Sequence, residues 1–428
     1  MQKQIGAIKG ARDFLPGEIH KLRYIEQTAV RVAESFGYFE MRTPVFEHTE
    51  LFTRGVGDTT DVVQKEMYTF DDKAGRSITL RPEGTAGAAR AFLEHGLFNE
   101  PLPQKIFYLA SCYRYEKPQA GRWREFRQFG IECFGSSSAF ADAEVISLGA
   151  AFYDALGLTD LKLEINSLGC SVCRGDYLAT LREYFNLKQD KLCPTCLDRL
   201  ERNPMRILDC KSPICLSIAS KAPTALEFLC ADCKAHFEKL RECLDGVNIK
   251  YVVNPHIVRG LDYYTRTVFE FISQSEKTKG LVCGGGGRYD GLIEELGGEH
   301  IPACGFGLGV DRILLAMEDF DFAFPERPKV DLVLVSAGKK SQLKAALIAM
   351  KLRREGYGVI SDVLERSVKA QMKYADKTGA PYTAVIGDDE LESDRVILKN
   401  MKNGAKCEIT VSEFTQDFLT AILSDCFK

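Results

Sequence analysis

Two kinds of segment are missing from the 428-residue sequence. It has no run of about 18 apolar residues, so it predicts no transmembrane helix. Its first residues, up to Ala7, lack the apolar core of a secretory signal peptide, so we expect a cytoplasmic protein. The 15 cysteines are an odd number, and in such a chain we expect reduced thiols or metal ligands rather than a disulfide framework.

Several common catalytic signatures are also absent. The sequence has no G-x-x-x-x-G-K-[ST] phosphate loop, no dinucleotide-binding glycine fingerprint after a strand and no H-E-x-x-H motif. None of the six histidines is an obvious partner for a nucleophile, which argues against general-base catalysis by histidine. The net charge of −4 excludes a chain that is basic all over, but it allows a local patch that binds nucleic acid.

The length is sufficient for two or three domains, each with its own core. A helical pattern over residues 19–36 is followed by strand patterns over 39–134 without crossovers, which predicts a largely antiparallel sheet. Strand patterns disappear over residues 169–248, where helical spacing takes over, and they resume at Tyr251. We therefore predict an α+β domain over residues 1–325, built on a mostly antiparallel sheet flanked by helices, with a helical insertion at about 169–248.

A second domain is predicted after the segment Phe324–Lys329, whose two prolines make a stiff linker. The apolar strand Val330–Val335 is followed by alternating helix and strand patterns. This alternation predicts a C-terminal α/β domain over residues 329–428, containing a βαβα unit with a buried parallel sheet.

Two clusters of polar residues lie near predicted strand ends. The segment Thr79–Thr85 places Glu83 and Thr85 at the mouth of a strand, although Thr85 could simply be the N-cap of the next helix. The predicted hairpin 112–132 carries four arginines, a residue type suited to phosphate oxygens: Arg114, Arg122, Arg124 and Arg127. Strand alternation places a further set on one face of this hairpin, unless the hairpin is only a solvated charged surface: Gln128, Gly130 and Glu132.

Two further clusters follow the insertion. Arg259 and two adjacent tyrosines precede a strong strand, a pattern that core packing can also explain. Four consecutive glycines, 284–287, would let a ligand or another backbone approach closely. Arg312 lies near the first turn of a predicted helix, where the backbone also favours anions. Arginine-rich clusters without a catalytic histidine indicate that phosphate groups are positioned and stabilised electrostatically.

Taken in this order, the clusters resemble the histidyl-tRNA synthetase family of class II aminoacyl-tRNA synthetases, in its bacterial form. The segment Thr43–Pro44 is similar to the dimer-forming first class motif, Tyr113–Glu116 with its loop to the second, and Gly305–Arg312 to the third. Arg259–Tyr264 and Gly285–Gly291 are similar to the two signatures that distinguish the histidine family. The resemblance extends from end to end, and the second predicted domain resembles the family's anticodon-binding domain.

The resemblance implies ATP-dependent attachment of L-histidine to tRNA(His) through histidyl-adenylate, with release of AMP and pyrophosphate. It implies Mg²⁺ with the ATP, and a homodimer. The implied catalytic residues are Arg259 and Arg114. The implied ATP-binding residues are Arg114, Glu116, Arg122 and Arg312. The implied histidine-binding residues are Glu83, Thr85, Gln128, Glu132, Arg259, Tyr263, Tyr264 and Tyr289. The implied contacts with the acceptor end of the tRNA are Gln119 and Arg124.

Within these implied sets, Arg114 would hold the α-phosphate, and Arg259 would contact both the substrate carboxylate and the α-phosphate, where related enzymes use a metal ion. Three residues would line the amino-group end of the histidine site: Glu83, Thr85 and Gln128. Three others would face the imidazole, with Tyr263 beside them: Glu132, Tyr264 and Tyr289. Both the catalytic arginines and the second domain argue against the main alternative, a catalytically inactive synthetase-like regulatory subunit of histidine biosynthesis. The Arg259–Tyr264 signature argues against a synthetase for threonine, proline or glycine.

Eight of the 15 cysteines fall between Cys170 and Cys233, within the predicted insertion. Three C-x-x-C pairs have spacings that Zn²⁺ sites use, with Cys210 and Cys215 nearby, so a zinc cluster is one interpretation: Cys170/Cys173, Cys193/Cys196 and Cys230/Cys233. The other is a helical insertion whose buried thiols pack as small apolar side chains. Because the resemblance gives no reason to expect a metal there, we predict no metal, and the resemblance implies that the insertion contacts the tRNA acceptor stem.

Overall fold

The computed structural model describes residues 5–326 and 330–423. The chain divides into two compact units, Met1–Pro325 and Glu326–Lys428. The end of the predicted linker, residues 327–329, lies outside the described residues.

The first unit is organised around a large sheet and a small one. Its strands are β1 (Phe39–Glu40), β2 (Phe46–His48), β3 (Tyr68–Asp71), β4 (Ser77–Leu80), β5 (Gln104–Tyr113), β6 (Glu125–Phe134), β7 (Leu161–Ser167), β8 (Val252–Val253), β9 (Thr265–Ser273), β10 (Val282–Arg288) and β11 (Ala303–Gly309). Eight of them form the large sheet in the order β1-β5-β6-β11-β10-β9-β7-β8, and β2-β4-β3 form the small one. All pairs are antiparallel except the two edge pairs, β1 with β5 and β7 with β8. The predicted mostly antiparallel sheet is therefore confirmed.

Helices cover this sheet and connect its strands. They are α1 (Ile19–Ser35), α2 (Thr49–Gly55), α3 (Thr85–Glu94), α4 (Ala139–Ala155), α5 (Ser171–Asn186), α6 (Pro194–Arg202), α7 (Pro213–Ala219), α8 (Ala231–Gly246), α9 (Leu292–Glu295) and α10 (Val310–Asp319). In α1 the apolar residues recur at three- and four-residue steps, so Leu22, Ile25, Ala29 and Val32 form one buried stripe. This stripe packs in a core with α4 and α10 over one face of the large sheet.

The segment between β7 and β8 holds α5 to α8 and short 3₁₀ turns, with no strand among its residues, all of which are described. Because β7 and β8 are parallel neighbours in the sheet, the segment leaves and rejoins the sheet at adjacent positions. Its buried side chains pack in a second core, which they share with α3 and with parts of β5, β9 and β10.

The glycine run 284–287 is part of β10, which lies between β9 and β11 in the sheet. Glycine has a low intrinsic preference for strands, and the close approach of neighbouring groups explains its presence here. A Cβ on Gly286 would overlap the backbone of Gly305 and Phe306 across the sheet. The expected close approach of another backbone is therefore found inside the sheet itself.

The second unit contains β12 (Leu332–Ser336), α11 (Lys339–Arg354), β13 (Val359–Ser361), α12 (Val368–Thr378), β14 (Tyr382–Ile386), α13 (Asp388–Ser393), β15 (Arg395–Asn400), β16 (Lys406–Thr410) and α14 (Phe414–Leu423). Its sheet has the order β13-β12-β14-β15-β16. The pairs of β12 with β13 and β14 are parallel, as predicted, but those of β15 with β14 and β16 are antiparallel. The connection between β15 and β16 is too short for a crossover, so the two strands form a hairpin.

Among the residues that the structure covers, no helix has both the length and the apolar character needed to cross a membrane.

Candidate functional site

A cavity of about 790 Å³ opens over the large sheet, and strands β6, β10 and β11 contribute to its lining. Glycines on these strands leave room for large polar side chains to lie against the sheet. A Cβ on Gly307 would overlap the side-chain amide of Gln128, and one on Gly285 would lie 2.8 Å from Nη1 of Arg259. The glycines of the third motif and of the glycine run therefore make space for two of the predicted site residues.

Three predicted ATP-binding arginines line one end of this cavity: Arg114, Arg122 and Arg312. Arg114 donates from Nε to the carbonyl oxygen of Pro82 at 2.8 Å. Arg312 donates from Nε to Gly121 O at 2.9 Å and from Nη1 to Val282 O at 2.8 Å. Burial and the positive charges of Arg122 and Arg114 lower the pKa of Arg312. Guanidinium groups held this close together favour a polyanionic ligand that relieves their repulsion.

The hairpin between β5 and β6 carries the remaining members of this set. Glu116 lines the cavity, and its Oε2 lies 3.4 Å from Nη1 of Arg122. Gln119 forms a short backbone bridge with Arg122 and also lines the cavity. Arg124 is not among the residues that line the cavity, and its guanidinium carbon lies 3.8 Å from the ring centroid of Tyr115. The predicted tRNA contacts Gln119 and Arg124 are therefore on one hairpin, but they have different surroundings.

Arg127, the fourth arginine of the hairpin, is occupied by an internal partner. Its backbone N–H donates to Asp311 Oδ2 at 2.7 Å, and its Nη1 lies 3.3 Å from Oδ1 of the same carboxylate. Asp311 is buried at the start of α10. This pair joins the hairpin to the third motif.

Arg259, in the loop before β9, lines the same cavity. Its Nη1 donates to Glu270 Oε1 at 2.6 Å. Burial lowers the pKa of Arg259, but the neighbouring Tyr264 and Glu270 raise it by more, so the guanidinium stays charged. Its Nε is buried and has no hydrogen-bond partner among the described residues. An unpaired, charged donor on a cavity wall is suited to an anionic ligand.

The residues predicted for the amino group of the substrate line the same cavity: Glu83, Thr85 and Gln128. Both carboxylate oxygens of Glu83 accept backbone hydrogen bonds, from Thr85 N at 2.7 Å and from Ala86 N at 2.9 Å. Glu83, rather than Thr85, therefore caps α3, which corrects the N-cap interpretation of Thr85. Burial raises the pKa of Glu83. Gln128 is held against this turn, because its Oε1 accepts from Gly84 N at 3.1 Å.

Glu132 and Tyr289 are in contact, but they are fully buried and do not line the cavity. The hydroxyl of Tyr289 donates to Glu132 Oε2, and that of Tyr108 donates to Oε1 at 3.0 Å. Burial raises the pKa of Glu132 to about 8. The two tyrosine hydroxyls occupy the carboxylate in this structure, and the assignment of Glu132 and Tyr289 to the imidazole stays a prediction.

Tyr263 and Tyr264 line the cavity above that buried carboxylate. Their ring centroids are 4.7 Å apart, and the ring of Tyr263 is 5.3 Å from that of Tyr289. The guanidinium of Arg259 lies 5.5 Å from the ring centroid of Tyr264. The tyrosine pair therefore lies between Arg259 and Tyr289, which contacts the buried Glu132.

Sequence reasoning missed several residues of this site. The sequence pattern places Tyr108 only in an apolar strand. In the structure it pairs across the strands with Gly130, and its ring lies against that glycine. A tyrosine opposite a glycine in a predicted hairpin is a signal that could have found it. Glu270, the partner of Arg259, lies in the middle of an apolar strand. A single charged residue in such a strand is also a signal that could have indicated a site residue. Leu208, Asp209 and Lys211 of the insertion also line the cavity, and no local signal indicated them.

The cysteines of the insertion form two groups rather than the single cluster of three pairs considered from the sequence. One group unites the first and third C-x-x-C pairs: Cys170, Cys173, Cys230 and Cys233. The other unites the middle pair with the two remaining thiols: Cys193, Cys196, Cys210 and Cys215. The reason is topological, since the first and third pairs begin α5 and α8, at the two ends of the insertion.

Comparison with known proteins identifies both units. A family model described as histidyl-tRNA synthetase matches residues 10–172 and 217–313, and one described as an anticodon-binding domain matches residues 329–420. A histidine–tRNA ligase of Acetivibrio thermocellus is 51% identical over 405 residues, which are 95% of this chain and 97% of the relative. One of Caldicellulosiruptor saccharolyticus is 50% identical over 420 residues, covering 98% of this chain and all of the relative.

Solved structures agree with these relatives. The chain is similar to apo histidyl-tRNA synthetase of S. aureus, with 37% identity, a TM-score of 0.82, and coverage of 97% of this chain and all of that one. A structure from Bacillus halodurans, described as an ATP phosphoribosyltransferase regulatory subunit/histidyl-tRNA synthetase, is only 23% identical with a TM-score of 0.64. It covers 90% of this chain and 99% of that one, and at this identity it shows a shared fold alone. The family resemblance of the sequence motifs is thus confirmed, and the chain belongs to the histidyl-tRNA synthetase family.

Proposed function

We propose that this chain is a histidine–tRNA ligase that first activates L-histidine with ATP and then transfers the histidyl group to tRNA(His). The observation that carries the proposal is that four arginines line one cavity. They are Arg114, Arg122, Arg312 and Arg259, and the buried Nε of Arg259 has no hydrogen-bond partner among the described residues. The lining of the same cavity includes the polar side chains of Glu83 and Gln128.

In the first step, a carboxylate oxygen of histidine attacks the α-phosphorus of ATP. The bond from that phosphorus to the bridging oxygen breaks, so histidyl-adenylate forms and pyrophosphate leaves. The carboxylate is already the nucleophile, so no side chain has to remove a proton. The obstacle is the repulsion between two anions, which fixed guanidinium groups reduce. We assign Arg259 to the substrate carboxylate and the α-phosphate, Arg114 to the α-phosphate, and Arg122 and Arg312 to the other phosphates.

The second step transfers the histidyl group. A hydroxyl of the terminal tRNA ribose attacks the carbonyl carbon of the adenylate, and AMP leaves. We propose that Gln119 and Arg124 on the β5–β6 hairpin contact the acceptor end, and that the second unit binds the anticodon. The match of residues 329–420 to an anticodon-binding domain supports the latter.

Histidine selection is assigned to the pocket floor. Glu83, Thr85 and Gln128 would hold the amino group, and Tyr263 and Tyr264 would lie against the ring. Recognition of imidazole requires groups that accept or donate hydrogen bonds at fixed positions, and analogues that lack a ring nitrogen leave these groups unpaired. The buried Glu132, with Tyr108 and Tyr289, supplies such groups once a ligand replaces one of the tyrosine hydroxyls.

Mg²⁺ would accompany ATP and screen the phosphate charge. It prefers phosphate, carboxylate and water oxygens, so it would be held mainly by the nucleotide. Glu116 fits this role, because its carboxylate lies on the cavity wall beside Arg122. We further propose that the enzyme is a homodimer that works in the cytoplasm.

The direct test is ATP–pyrophosphate exchange with each of the twenty amino acids, using the full chain, Arg259→Ala and Arg259→Lys. We expect exchange with histidine only, and a loss of at least about 100-fold in Arg259→Ala, because an oriented charge in a dry site is removed. Arg259→Lys keeps the charge but not the planar fork, so it should recover only part of the activity. The exposed Arg76→Ala is the matched control and should behave as the wild type.

No exchange from the folded wild-type chain with any amino acid would overturn the enzyme assignment and favour a synthetase-like regulatory subunit. Exchange with another amino acid in place of histidine would overturn the substrate assignment while retaining the enzyme class.

A further inference from the structure

Eight of the nine cysteines of the insertion form two four-thiol clusters that the proposed reaction does not use. Within each cluster the four Sγ atoms all lie within 4.8 Å of one another. Individual separations are 3.6 Å for Cys170–Cys173, 4.0 Å for Cys170–Cys230 and 3.9 Å for Cys193–Cys210. A tetrahedral Zn²⁺ ion with Zn–S bonds of about 2.3 Å separates its sulfurs by about 3.8 Å. The observed sulfur spacing therefore fits a tetrathiolate metal ion, and it is far longer than the S–S bond of about 2.05 Å in a disulfide.

The first cluster joins the two ends of the insertion. Cys170 and Cys230 are the N-cap residues of the 16-residue helices α5 and α8, and Cys173 and Cys233 lie in their first turns. The backbone N–H of Cys230 lies 3.1 Å from Cys173 Sγ and points to it as a donor. Helix N-termini and N–H groups directed at sulfur stabilise thiolates, which are the form that binds metal. The backbone around this cluster therefore favours the thiolate form of its cysteines.

The second cluster lies inside the insertion. Cys193 is the N-cap residue of α6, with Cys196 in the first turn, while Cys210 and Cys215 flank the start of α7. The N–H of Cys193 donates to Cys215 Sγ at 3.3 Å, and that of Ser212 donates to Cys210 Sγ at 3.4 Å. Only one short helix, a 3₁₀ turn and the start of α7 lie between the first and last of these cysteines. Such a short segment depends on the core that it shares with the rest of the unit, and a structural metal can stabilise a segment of this kind.

We propose that each cluster binds one structural Zn²⁺ ion, so that the chain carries two. All four ligands in each cluster are cysteines, which leaves no open coordination position and argues for a structural rather than a catalytic role. The family model does not match residues 173–216, which include the whole second cluster. The proposal reverses the sequence-based prediction of a metal-free insertion.

The two ions would also hold parts of the active site in place. In the second cluster, Cys210 lies between Asp209 and Lys211, which line the cavity. In the same segment, Arg206 donates from Nη1 to the carbonyl oxygen of Arg259 at 2.9 Å. In the first cluster, Arg174 directly follows Cys173 and donates from Nη2 to the carbonyl oxygen of Tyr264. Each metal would thus fix a segment that contacts the backbone of the Arg259–Tyr264 loop.

The test is elemental analysis of the purified full chain, prepared without chelator, for zinc and iron. We expect two zinc ions per chain. Cys230→Ser and Cys210→Ser remove one ligand from the first and second cluster, so each variant should retain one ion. Cys243→Ser is the matched control, because Cys243 lies in α8 outside both clusters, and it should keep two. The readout is metal content, so it is independent of the aminoacylation activity.

A second measurement uses the unmodified chain, in case a variant does not fold. Titration with an organomercurial, followed by a colorimetric zinc indicator, should release two ions as the cluster thiols react. Iron in place of zinc would overturn the assignment of the metal. A folded chain without bound metal, whose cluster thiols titrate freely or only after reduction, would overturn the proposal itself.

Discussion

Gly307 has no side chain, and this leaves space in the site for the polar side chain of Gln128. The two residues are on neighbouring strands, and the space that a Cβ on Gly307 would occupy is filled by the amide of Gln128. Since the obstructing atoms are the end of a flexible side chain, an alanine can be accommodated only if Gln128 moves. The glycine therefore affects the geometry of the pocket more than the stability of the sheet.

We expect Gly307→Ala to reduce kcat/KM for histidine in the exchange reaction by up to about 100-fold, because a displacement of about 1 Å has costs of this size. The melting temperature should change little. Gly291→Ala is the control, since the nearest atom to its Cβ would be Glu295 Oε1 at 3.9 Å. Unchanged kinetics in Gly307→Ala would show that Gln128 does not contact the substrate.

Glu132 makes stability depend on pH in a direction unusual for a carboxyl group. Burial raises its pKa from 4.5 to about 8, so the folded chain keeps a proton that the unfolded chain loses above pH 4.5. Its contribution to stability is therefore complete below about pH 4.5 and is lost as the pH rises to about 8, at no more than about 1.4 kcal/mol per pH unit.

Glu132→Gln removes this titration while keeping a hydrogen-bonding group. We expect the Tm of the wild type to fall relative to that of Glu132→Gln as the pH is raised from 5 to 8. Thermal unfolding at several pH values measures it, with the exposed Glu242→Gln as the control. A pH-independent difference would mean that Glu132 is ionised in the folded chain throughout this range.

At the scale of the elements, Asp142 joins helix α4 to three others, β10, α8 and β9. It lies in α4, and its carboxylate accepts hydrogen bonds from Arg288 of β10 at 2.5 Å, from His236 of α8 at 2.6 Å and from Thr267 of β9 at 2.6 Å. Although burial raises its pKa, the charge of Arg288 and the hydrogen bond with His236 lower it by more, so the carboxylate stays ionised. Arg288 is itself fully buried.

Asp142→Asn leaves the charge of Arg288 without its main partner. We expect a loss of about 3–5 kcal/mol in the free energy of unfolding, as for other buried pairs broken on one side. Denaturant unfolding would measure this, with Asp154→Asn as the control, since Asp154 is an exposed residue of the same helix. A loss below about 1 kcal/mol would show that water or Asp290, which pairs with Arg288 at 2.9 Å, compensates.

Periodicity and residue type predicted the antiparallel sheet and marked the polar clusters one by one, because these signals are local. That members of all four clusters line one cavity was implied only by the family resemblance. The local signals could not show that residues 284–287 form a central strand, since glycine gives no strand signal and the requirement for it comes from neighbours across the sheet. They could not show that Glu132 is covered by Tyr108 and Tyr289, because depth depends on packing. They could not show which C-x-x-C pairs form a common cluster, because spacing along the chain does not reveal which helix N-termini lie next to each other.

At the scale of the whole molecule, apolar side chains near the β1 edge of the large sheet bear on the proposed homodimer. Phe39 is 77% exposed and Phe46 is 57% exposed. They flank Thr43–Pro44, the segment that resembles the dimer-forming motif. Exposed aromatic residues next to a short edge strand are typical of a surface that a second chain covers.

We expect light scattering to give twice the chain mass of 47.8 kDa for the wild type, and the mass of a single chain for Phe39→Glu/Phe46→Glu. Charged residues at the centre of an apolar interface are costly to bury, so the association should be lost. Phe140→Glu is the control, because Phe140 is 61% exposed elsewhere on the first unit. A dimeric double variant would place the interface elsewhere, and a monomeric wild type would exclude the homodimer.

The first cysteine cluster brings the two ends of the insertion together. Cys170 and Cys230 are 60 residues apart in sequence, but their sulfur atoms are 4.0 Å apart. A genetic change could thus lengthen, shorten or exchange everything between them without altering the register of β7 and β8. Variation in length is therefore compatible with the sheet, but it is constrained where Asp209 and Lys211 line the cavity and where Arg206 donates to the backbone of Arg259.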